Sequence, residues 1–240
     1  MKLICLNEID SSSRYLRALA DEGAEHGTLV LADRQTAGRG RLDHTFESPQ
    51  GGLYMSLLIR CGDLSPQIGL HLTIASAVAA AEALEAAVPS LSVGIKWVND
   101  LYLDGRKVAG ILSEASLSPS GGVDYAIVGI GINLCDGRLP PALAEIATSV
   151  EAVSGVSPDR VALALDIAER ILAWVSHPHS VIDEYRRRQI LIGRRVRCLS
   201  GDRSFAARVR GVDDDGGLVV SRFGRKRILR FGEVSVRIRR

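Results

Sequence analysis

Residues 36–52 carry the side chains best suited to binding an anion. Arg39 and Arg41 alternate with Gly38 and Gly40 in the tetrapeptide GRGR. Glycine lets backbone amides come close to a ligand, and the planar guanidinium of arginine binds carboxylate or phosphate oxygens in pairs. Unstructured loops longer than about 12–15 residues are uncommon and are usually functional or disordered. We therefore predict a binding loop, although GRGR by itself is also typical of solvated basic tails.

A second polar cluster lies in the segment KWVNDLYLDGRKVAGIL, which supplies Lys96, Asn99, Asp100 and Lys107. Because side chains alternate along a strand, the first three cannot all point to one face, and the chain must bend at Val98. Polar side chains at such a strand end are candidates for a site. A solvent-exposed hairpin would carry the same charges, and this cluster alone leaves both interpretations open.

A third feature is the sequence GIGIN, with glycines at positions 129 and 131. Glycine in a strand often marks a place where another group approaches the backbone closely, and Asn133 would present an amide there. A core strand that simply tolerates glycine is the alternative.

The elements that must position these residues are those of an α+β fold. Hydrophobic patterns predict strands, helices and a hairpin whose Asp104-Gly105 turn is a strong local signal. The predicted strands are residues 2–6, 28–33, 53–60, 93–97 and 125–134, and the predicted helices are residues 11–23, 68–88, 159–175 and 181–190. The strand 125–134 is apolar without alternation, so we expect it to be central and covered on both faces.

The sequence pattern changes in the last part of the chain, where five short β-like segments are separated by turn residues. This spacing predicts a small β-barrel of about 50 residues. We place the boundary near Gly193. This divides the chain into a larger α+β domain at residues 1–190 and a β-barrel domain at residues 193–240.

Charge also divides the chain into two parts. Residues 1–185 hold 13 Lys and Arg against 23 Asp and Glu, whereas residues 186–240 hold 17 against 5, so their net charges are −10 and +12. A basic module attracts an anionic partner, and weak nucleic-acid binding with a steep salt dependence is one possibility. Phe205, Phe223 and Phe231 form no clear stacking array for bases, which argues against it.

Several classes of protein are disfavoured by composition. The first residues lack an apolar stretch of the length found in signal peptides, and the long Ala-rich segment 68–88 contains His71, Glu82 and Glu85. We therefore predict a cytoplasmic protein in which this segment is a buried core helix and not a membrane span. The four cysteines, at positions 5, 61, 135 and 198, are far apart, which predicts four buried free thiols and no metal or disulfide framework.

Taken in order, GRGR, SPQGGLYMS, KWVNDLYLDGRKVAGIL and GIGIN closely resemble the motifs of the biotin–protein ligases. The resemblance runs from about Ser11 to the C-terminus, since the small β-barrel resembles the last domain of that family. It implies a mixed-sheet catalytic domain of the biotin/lipoate ligase type. No DNA-reading helix pair precedes Lys2, so the chain resembles the form without an N-terminal DNA-binding domain, and we expect no specific DNA binding.

The resemblance assigns roles to residues of this chain. It implies that the biotin-binding residues are Ser11, Ser12, Ser13, Gln35, Gly38, Arg39, Gly40, Arg41, Lys107 and Gly110. It implies that the residues binding ATP or the adenylate are Arg39, Arg41, Phe46, Asn99, Asp100, Lys107 and Asn133. The catalytic set would be Arg39, Arg41, Asp100 and Lys107, with Asp100 also binding Mg²⁺.

The implied reaction joins biotin to ATP as biotinyl-5'-adenylate and then transfers biotin to a lysine of a biotin carboxyl carrier protein. The glycine-rich loop would close over the adenylate and exclude water. The basic C-terminal module would dock an acidic carrier domain or the ATP phosphates. A homodimer is possible, and a lipoate–protein ligase is the alternative assignment within the same fold.

Five positions depart from the family pattern. Ser12 and Ser13 stand where Thr and Asn are usual, which predicts rearranged hydrogen bonds to the biotin ring. Val98 replaces a proline, His44 an arginine and Phe46 a tryptophan. These replacements predict a less rigid bend before Asn99 and altered contacts with the nucleotide.

Overall fold

The structure is a computed structural model of the 240-residue chain. It describes residues 1–41, 45–64, 68–117, 122–135, 137–176, 181–200, 203–230 and 235–238. The predictions made for His44 and Phe231, and for the side chain of Cys61, therefore lie outside the described residues.

The first part of the chain alternates strands with helices. Its strands are β1 (Lys2–Ile9), β2 (Thr28–Gln35), β3 (Leu53–Leu64), β4 (Gly94–Lys96), β5 (Asp100–Leu103), β6 (Arg106–Leu117) and β7 (Val123–Ile132). Its helices are α1 (Ser12–Asp21), α2 (Ile68–Ala87), α3 (Val150–Ser154), α4 (Arg160–Ser176) and α5 (Val181–Arg187). Each strand and helix predicted from the sequence for this part is present, with ends that differ by a few residues.

Seven strands form one mixed sheet in the order β1-β2-β3-β7-β6-β5-β4. β1 runs parallel to β2, and the other neighbouring pairs are antiparallel. β7 lies in the middle, between β3 and β6, and most of its residues are buried. The predicted α+β class and the central position of this strand are confirmed.

Helix α2 forms the centre of the core. The five consecutive residues 77–81 are fully buried, so apolar groups surround the helix on every side, which is the pattern of a core helix. Residues Gly69–Ala87 form a helix long and apolar enough to cross a membrane, but 67% of this stretch is buried inside the fold. Helix α2 packs chiefly on α4, β6 and α5, in agreement with the predicted core helix.

Local turn chemistry fixes two points of the site. Ser11 caps α1, where its side chain accepts a hydrogen bond from the backbone N–H of Arg14. Asp104 and Gly105 have φ values of 47° and 76°, as a two-residue type I′ hairpin turn requires. This turn pairs Leu103 with Arg106 and Tyr102 with Lys107, and a register shift at the next position then pairs Asp100 with Gly110.

The C-terminal part folds as a five-stranded antiparallel sheet in the order β11-β10-β9-β8-β12. Its strands are β8 (Arg195–Ser200), β9 (Arg203–Val212), β10 (Leu218–Arg222), β11 (Arg225–Leu229) and β12 (Ser235–Ile238). The five predicted β pieces are confirmed, and buried residues of this sheet continue the core of the first part. The division near Gly193 into units 1–190 and 193–240 stays a prediction.

The cysteine prediction is wrong at two positions. Cys5 is exposed because β1 is an edge strand with one face toward solvent, and Cys135 is half-buried. Cys198 is buried as predicted, and burial raises the pKa of its thiol to about 11. Since the thiolate is the reactive form, Cys198 is chemically inert at neutral pH.

Candidate functional site

A cavity of about 180 Å³ opens where the start of α1, the loop after β2, the β5–β6 hairpin and the middle of β7 meet. It brings together all but two of the site residues predicted from the sequence. These are Ser11, Ser12, Ser13, Gln35, Arg39, Gly40, Arg41, Phe46, Asn99, Asp100, Lys107 and Gly110. Residues far apart in the sequence therefore share one cavity.

Three cationic side chains converge on this cavity. The Nη1 atom of Arg39 lies 3.6 Å from a carboxylate oxygen of Glu114, and the Nη1 atom of Arg41 lies 3.5 Å from the Oδ1 atom of Asn99. The Nζ atom of Lys107 lies 2.6 Å from the Oδ1 atom of Asp100. Of the described residues that line the cavity, Asp100 alone carries a negative charge, so the site suits an anionic ligand.

Burial makes the charge of Arg41 costly. Desolvation lowers the pKa of the Arg41 guanidinium, and the nearby Asp100 carboxylate opposes that effect. Because arginine stays protonated in proteins, the buried charge is not relieved by losing a proton. An anion in the cavity would lower the electrostatic cost of holding this group away from water.

Asp100 links two lysines at the end of β4. Its Oδ1 atom pairs with Lys107, and its Oδ2 atom lies 3.6 Å from the Nζ atom of Lys96. Asn99 is held by a reciprocal pair of bonds: its Nδ2 atom donates to the carbonyl of Ile111 at 2.7 Å, and the N–H of Ile111 donates to the carbonyl of Asn99 at 2.9 Å. Two lysines therefore hold the Asp100 carboxylate, and hydrogen bonds to Ile111 hold the preceding residue, Asn99.

Hydroxyl and amide groups form another part of the cavity lining. The backbone N–H and the Oγ atom of Ser12 donate to the Oε1 atom of Gln35 at 2.8 and 3.0 Å. The Oγ atom of Ser56 lies 2.8 Å from that of Ser12 and 2.9 Å from that of Ser13. The amide of Gln35 donates to the hydroxyl of Ser48. These groups form a connected polar network.

Ser56 is a site residue that sequence reasoning missed. It lies on β3 in the apolar run LYMSLLIR, and its side chain is fully buried. A buried hydroxyl needs a hydrogen-bond partner, so a lone serine in a core strand signals a polar neighbour. The neighbours are Ser12 and Ser13, which α1 brings against Ser56.

Replacing Ser56 by alanine tests this network. The hydroxyls of Ser12 and Ser13 would each lose a partner at buried or part-buried positions, so we expect a loss of about 1–3 kcal/mol in the free energy of unfolding. Urea denaturation measures it. Ser76→Ala is the control, because the buried hydroxyl of Ser76 donates to the Leu72 carbonyl inside a helix and its removal orphans no donor. Equal losses in the two variants would contradict the prediction.

The glycines of GIGIN allow two side chains to lie against β7. A Cβ atom on Gly131 would lie 2.5 Å from the ring of Phe46, and one on Gly129 would lie 2.6 Å from the hydroxyl of Ser13. The Phe46 ring also lies over Gly110, and the Nζ atom of Lys107 is 5.7 Å from the ring centre. This packing supports the interpretation of GIGIN as a place of close approach.

Gly38 and Asn133 do not line the cavity. A Cβ atom on Gly38 would lie 2.4 Å from the carbonyl oxygen of Phe46, so Gly38 closes the base of the loop. The amide of Asn133 is buried and donates to the carbonyl of Thr148 at 3.0 Å, beside a smaller neighbouring cavity. The predicted contact of Asn133 with a nucleotide stays a prediction.

Comparison with known proteins places this geometry among ligases. Residues 6–133 match the model of the biotin/lipoate A/B protein ligase family, and residues 191–237 match that of the biotin protein ligase C-terminal domain. The bifunctional ligase/repressor BirA of Bacillus spizizenii is 36% identical over 228 residues, which cover 91% of this chain and 69% of that protein. The biotin–[acetyl-CoA-carboxylase] ligase of Mycobacterium tuberculosis is 30% identical over 233 residues, covering 93% and 85%.

Among solved structures, the biotin protein ligase from Aquifex aeolicus in complex with biotin and ATP superposes with a TM-score of 0.85. It is 29% identical in sequence, and the match covers 99% of both chains. The similarity therefore extends over both the mixed sheet and the C-terminal sheet.

Proposed function

The chain belongs to the biotin/lipoate A/B protein ligase family and is a biotin–protein ligase, and we propose that Arg39, Arg41, Asp100 and Lys107 carry its adenylation step. The observation on which this proposal rests is the convergence of three cations on one cavity that uncharged hydroxyl and amide groups also line. Biotin is a carboxylate with a polar ring, and ATP is a polyanion. The cavity offers complementary groups for each.

In the first step, an oxygen of the biotin carboxylate bonds to the α-phosphorus of ATP, and the bond from that phosphorus to the bridging oxygen breaks. Biotinyl-5'-adenylate forms and pyrophosphate leaves. The main obstacle is repulsion between two anions, which Arg39, Arg41 and Lys107 offset while stabilising charge on the phosphoryl oxygens. Holding both reactants in line supplies up to about 7–11 kcal/mol more.

The uncharged hydroxyl and amide groups of the cavity give a reason to prefer biotin over lipoate. The ureido ring of biotin has N–H donors and a carbonyl acceptor, which match the hydroxyls of Ser12 and Ser13 and the amide of Gln35. A lipoyl dithiolane ring has neither kind of group, so it would displace water from these polar atoms without forming hydrogen bonds to them, at an energetic cost.

The residues present also fit a magnesium ion. Mg²⁺ is commonly held by one or two carboxylates together with the phosphates of its substrate, and Asp100 supplies such a carboxylate in the cavity that Asn99 also lines. We propose these two residues as its protein ligands. When bound, the ion would neutralise charge on the leaving pyrophosphate, while Lys107 and Lys96 keep Asp100 oriented in the ligand-free protein.

In the second step, the amine of a carrier lysine attacks the mixed anhydride, biotin becomes amide-linked and AMP leaves. We propose that the carrier is the biotin carboxyl carrier domain of a carboxylase. The loop that begins at Gly38 covers the adenylate and keeps water away from it. A cytoplasmic location and a homodimer stay predictions.

The function is tested by incubating this protein with a biotin carboxyl carrier domain, ATP, Mg²⁺ and either biotin or lipoate. Mass spectrometry should show one biotinyl group on one carrier lysine, dependent on ATP. A reaction without ATP is the control. Faster labelling with lipoate would establish the alternative assignment, and labelling with neither would contradict a ligase.

We also propose that β11, the basic edge strand of the C-terminal sheet, docks an acidic carrier domain. Arg225, Lys226 and Arg227 are exposed, and no carboxylate of the described residues forms an ion pair with them. Changing all three to glutamate should raise the apparent KM for the carrier about tenfold at low salt, because electrostatic steering is lost. Adenylate formation should be unchanged, and it serves as the internal control. An unchanged KM would contradict the docking role.

A further inference from the structure

The bend at residues 97–99 contains Asn99 and leads directly into Asp100, the two polar residues assigned above to magnesium and nucleotide. β4 ends at Lys96 and β5 begins at Asp100, so the three residues between them lie outside the ladder of the sheet. Val98 is fully buried. Backbone polar groups in a buried bend need partners, and those partners decide where the following side chains lie.

Two partners come from the end of α5 and the residues that follow it. The hydroxyl of Tyr185 donates to the carbonyl of Val98 at 2.9 Å, and the side-chain oxygen of Gln189 accepts from the N–H of Trp97 at 3.2 Å. Tyr185 is itself fully buried, and burial raises the pKa of its hydroxyl well above the ordinary range. The hydroxyl therefore stays protonated and remains a donor.

A third partner comes from the C-terminal sheet. The indole N–H of Trp97 donates to the carbonyl of Gly216 at 3.0 Å. Gly216 lies in the turn between β9 and β10, has a φ value of 82° and packs against Ile74 of α2. The bend is thus held by groups that come from outside its own strands.

We propose that Tyr185 is a positioning residue for Asn99 and Asp100, and that Gln189 shares this role. Asp100 follows Val98 by two residues, and its Oδ1 atom lies 2.6 Å from the Nζ atom of Lys107. A shift of the Val98 carbonyl would move the carboxylate relative to that ammonium and to bound ATP. The inference rests on the proposed function in one respect, because it assumes that Asp100 acts on the nucleotide.

Tyr185→Phe removes the hydroxyl and keeps the ring. Because a displacement of about 1 Å is enough to lower a rate by about 100-fold, we expect kcat/KM for ATP to fall between about 10- and 100-fold. Biotin affinity, measured without ATP, should fall much less than kcat/KM for ATP, since Ser12, Ser13 and Gln35 do not touch the bend. Gln189→Met removes the acceptor of the Trp97 N–H and keeps a similar side-chain volume. It should also lower kcat/KM for ATP while changing biotin affinity much less.

Tyr125→Phe is the matched control. Tyr125 is also a buried tyrosine, and its hydroxyl donates to Asp21 at 2.6 Å, away from the bend. Its loss should leave both constants unchanged. A readout independent of catalysis is hydrogen exchange in ligand-free protein, where the amides of residues 97–111 should exchange faster in Tyr185→Phe and Gln189→Met but not in Tyr125→Phe.

These measurements separate the possible results. Equal effects of Tyr185→Phe and Tyr125→Phe, on kinetics or on exchange at residues 97–111, would overturn the positioning role. If the wild-type protein formed no adenylate, the proposed function would fail, yet the exchange experiment would still decide whether Tyr185 holds the bend.

Discussion

Replacing Lys107 by alanine is expected to lower the rate of adenylate formation by about 10²–10³-fold, the cost of removing one donor aimed at developing charge. The Nζ atom of Lys107 lines the cavity and is anchored by Asp100. The backbone N–H of Lys107 donates to the Ile146 carbonyl, and its carbonyl accepts from the Thr148 N–H. Alanine keeps both backbone bonds, so the fold should survive.

Biotin-dependent exchange of pyrophosphate into ATP measures this step, and thermal unfolding checks the fold. Lys96→Ala is the matched control, since Lys96 pairs with the same carboxylate at 3.6 Å but does not line the cavity. We expect its exchange rate to fall less than about tenfold. Near-normal exchange in Lys107→Ala would contradict the assigned role.

Features that depend on a few adjacent residues were predictable from the sequence. The Asp104-Gly105 turn requires two residues that tolerate positive φ, and both are present in the chain. The serines before the amphipathic segment predict a helix cap at Ser11 or Ser12, and the structure places it at Ser11. These signals are local, because a turn or a cap is stabilised by its own atoms.

The convergence of Arg39, Arg41 and Lys107 was implied by resemblance, not by local pattern. The first two lie in a loop and the third on β6. Their meeting depends on the order of strands in the sheet, in which β3 and β7 separate β2 from β6. Periodicity identifies strands, but it does not state which strand lies beside which.

Other features stayed hidden because their cause is tertiary. The sequence around Ser56 predicts only a core strand that contains a serine. The structure shows that α1 brings Ser12 and Ser13 against this hydroxyl. Cysteine is usually buried, and the exposure of Cys5 follows from the edge position of β1. The local pattern places Tyr185 in a predicted helix and gives it no other role. Its hydrogen bond to Val98 joins residues far apart in the sequence, so no local pattern predicts it.

Gly131→Val is expected to lower kcat/KM for adenylate formation about 100-fold, because a small misplacement of catalytic groups has that effect. The new Cβ atom would lie 2.5 Å from the Phe46 ring, which cannot shift freely while its backbone N–H donates to the Gly38 carbonyl at 3.0 Å. The displaced ring would carry the arginine loop with it.

Valine favours strands, and Gly131 already pairs with Tyr54 and Gly110, so β7 itself should remain intact. The matched control is Gly211→Val on β9, where a Cβ atom would meet nothing within 4 Å. Pyrophosphate exchange and thermal unfolding of both variants provide the comparison. Full activity in Gly131→Val would mean that the position of the loop does not depend on the contact between the Phe46 ring and Gly131. The role assigned to GIGIN would then be wrong.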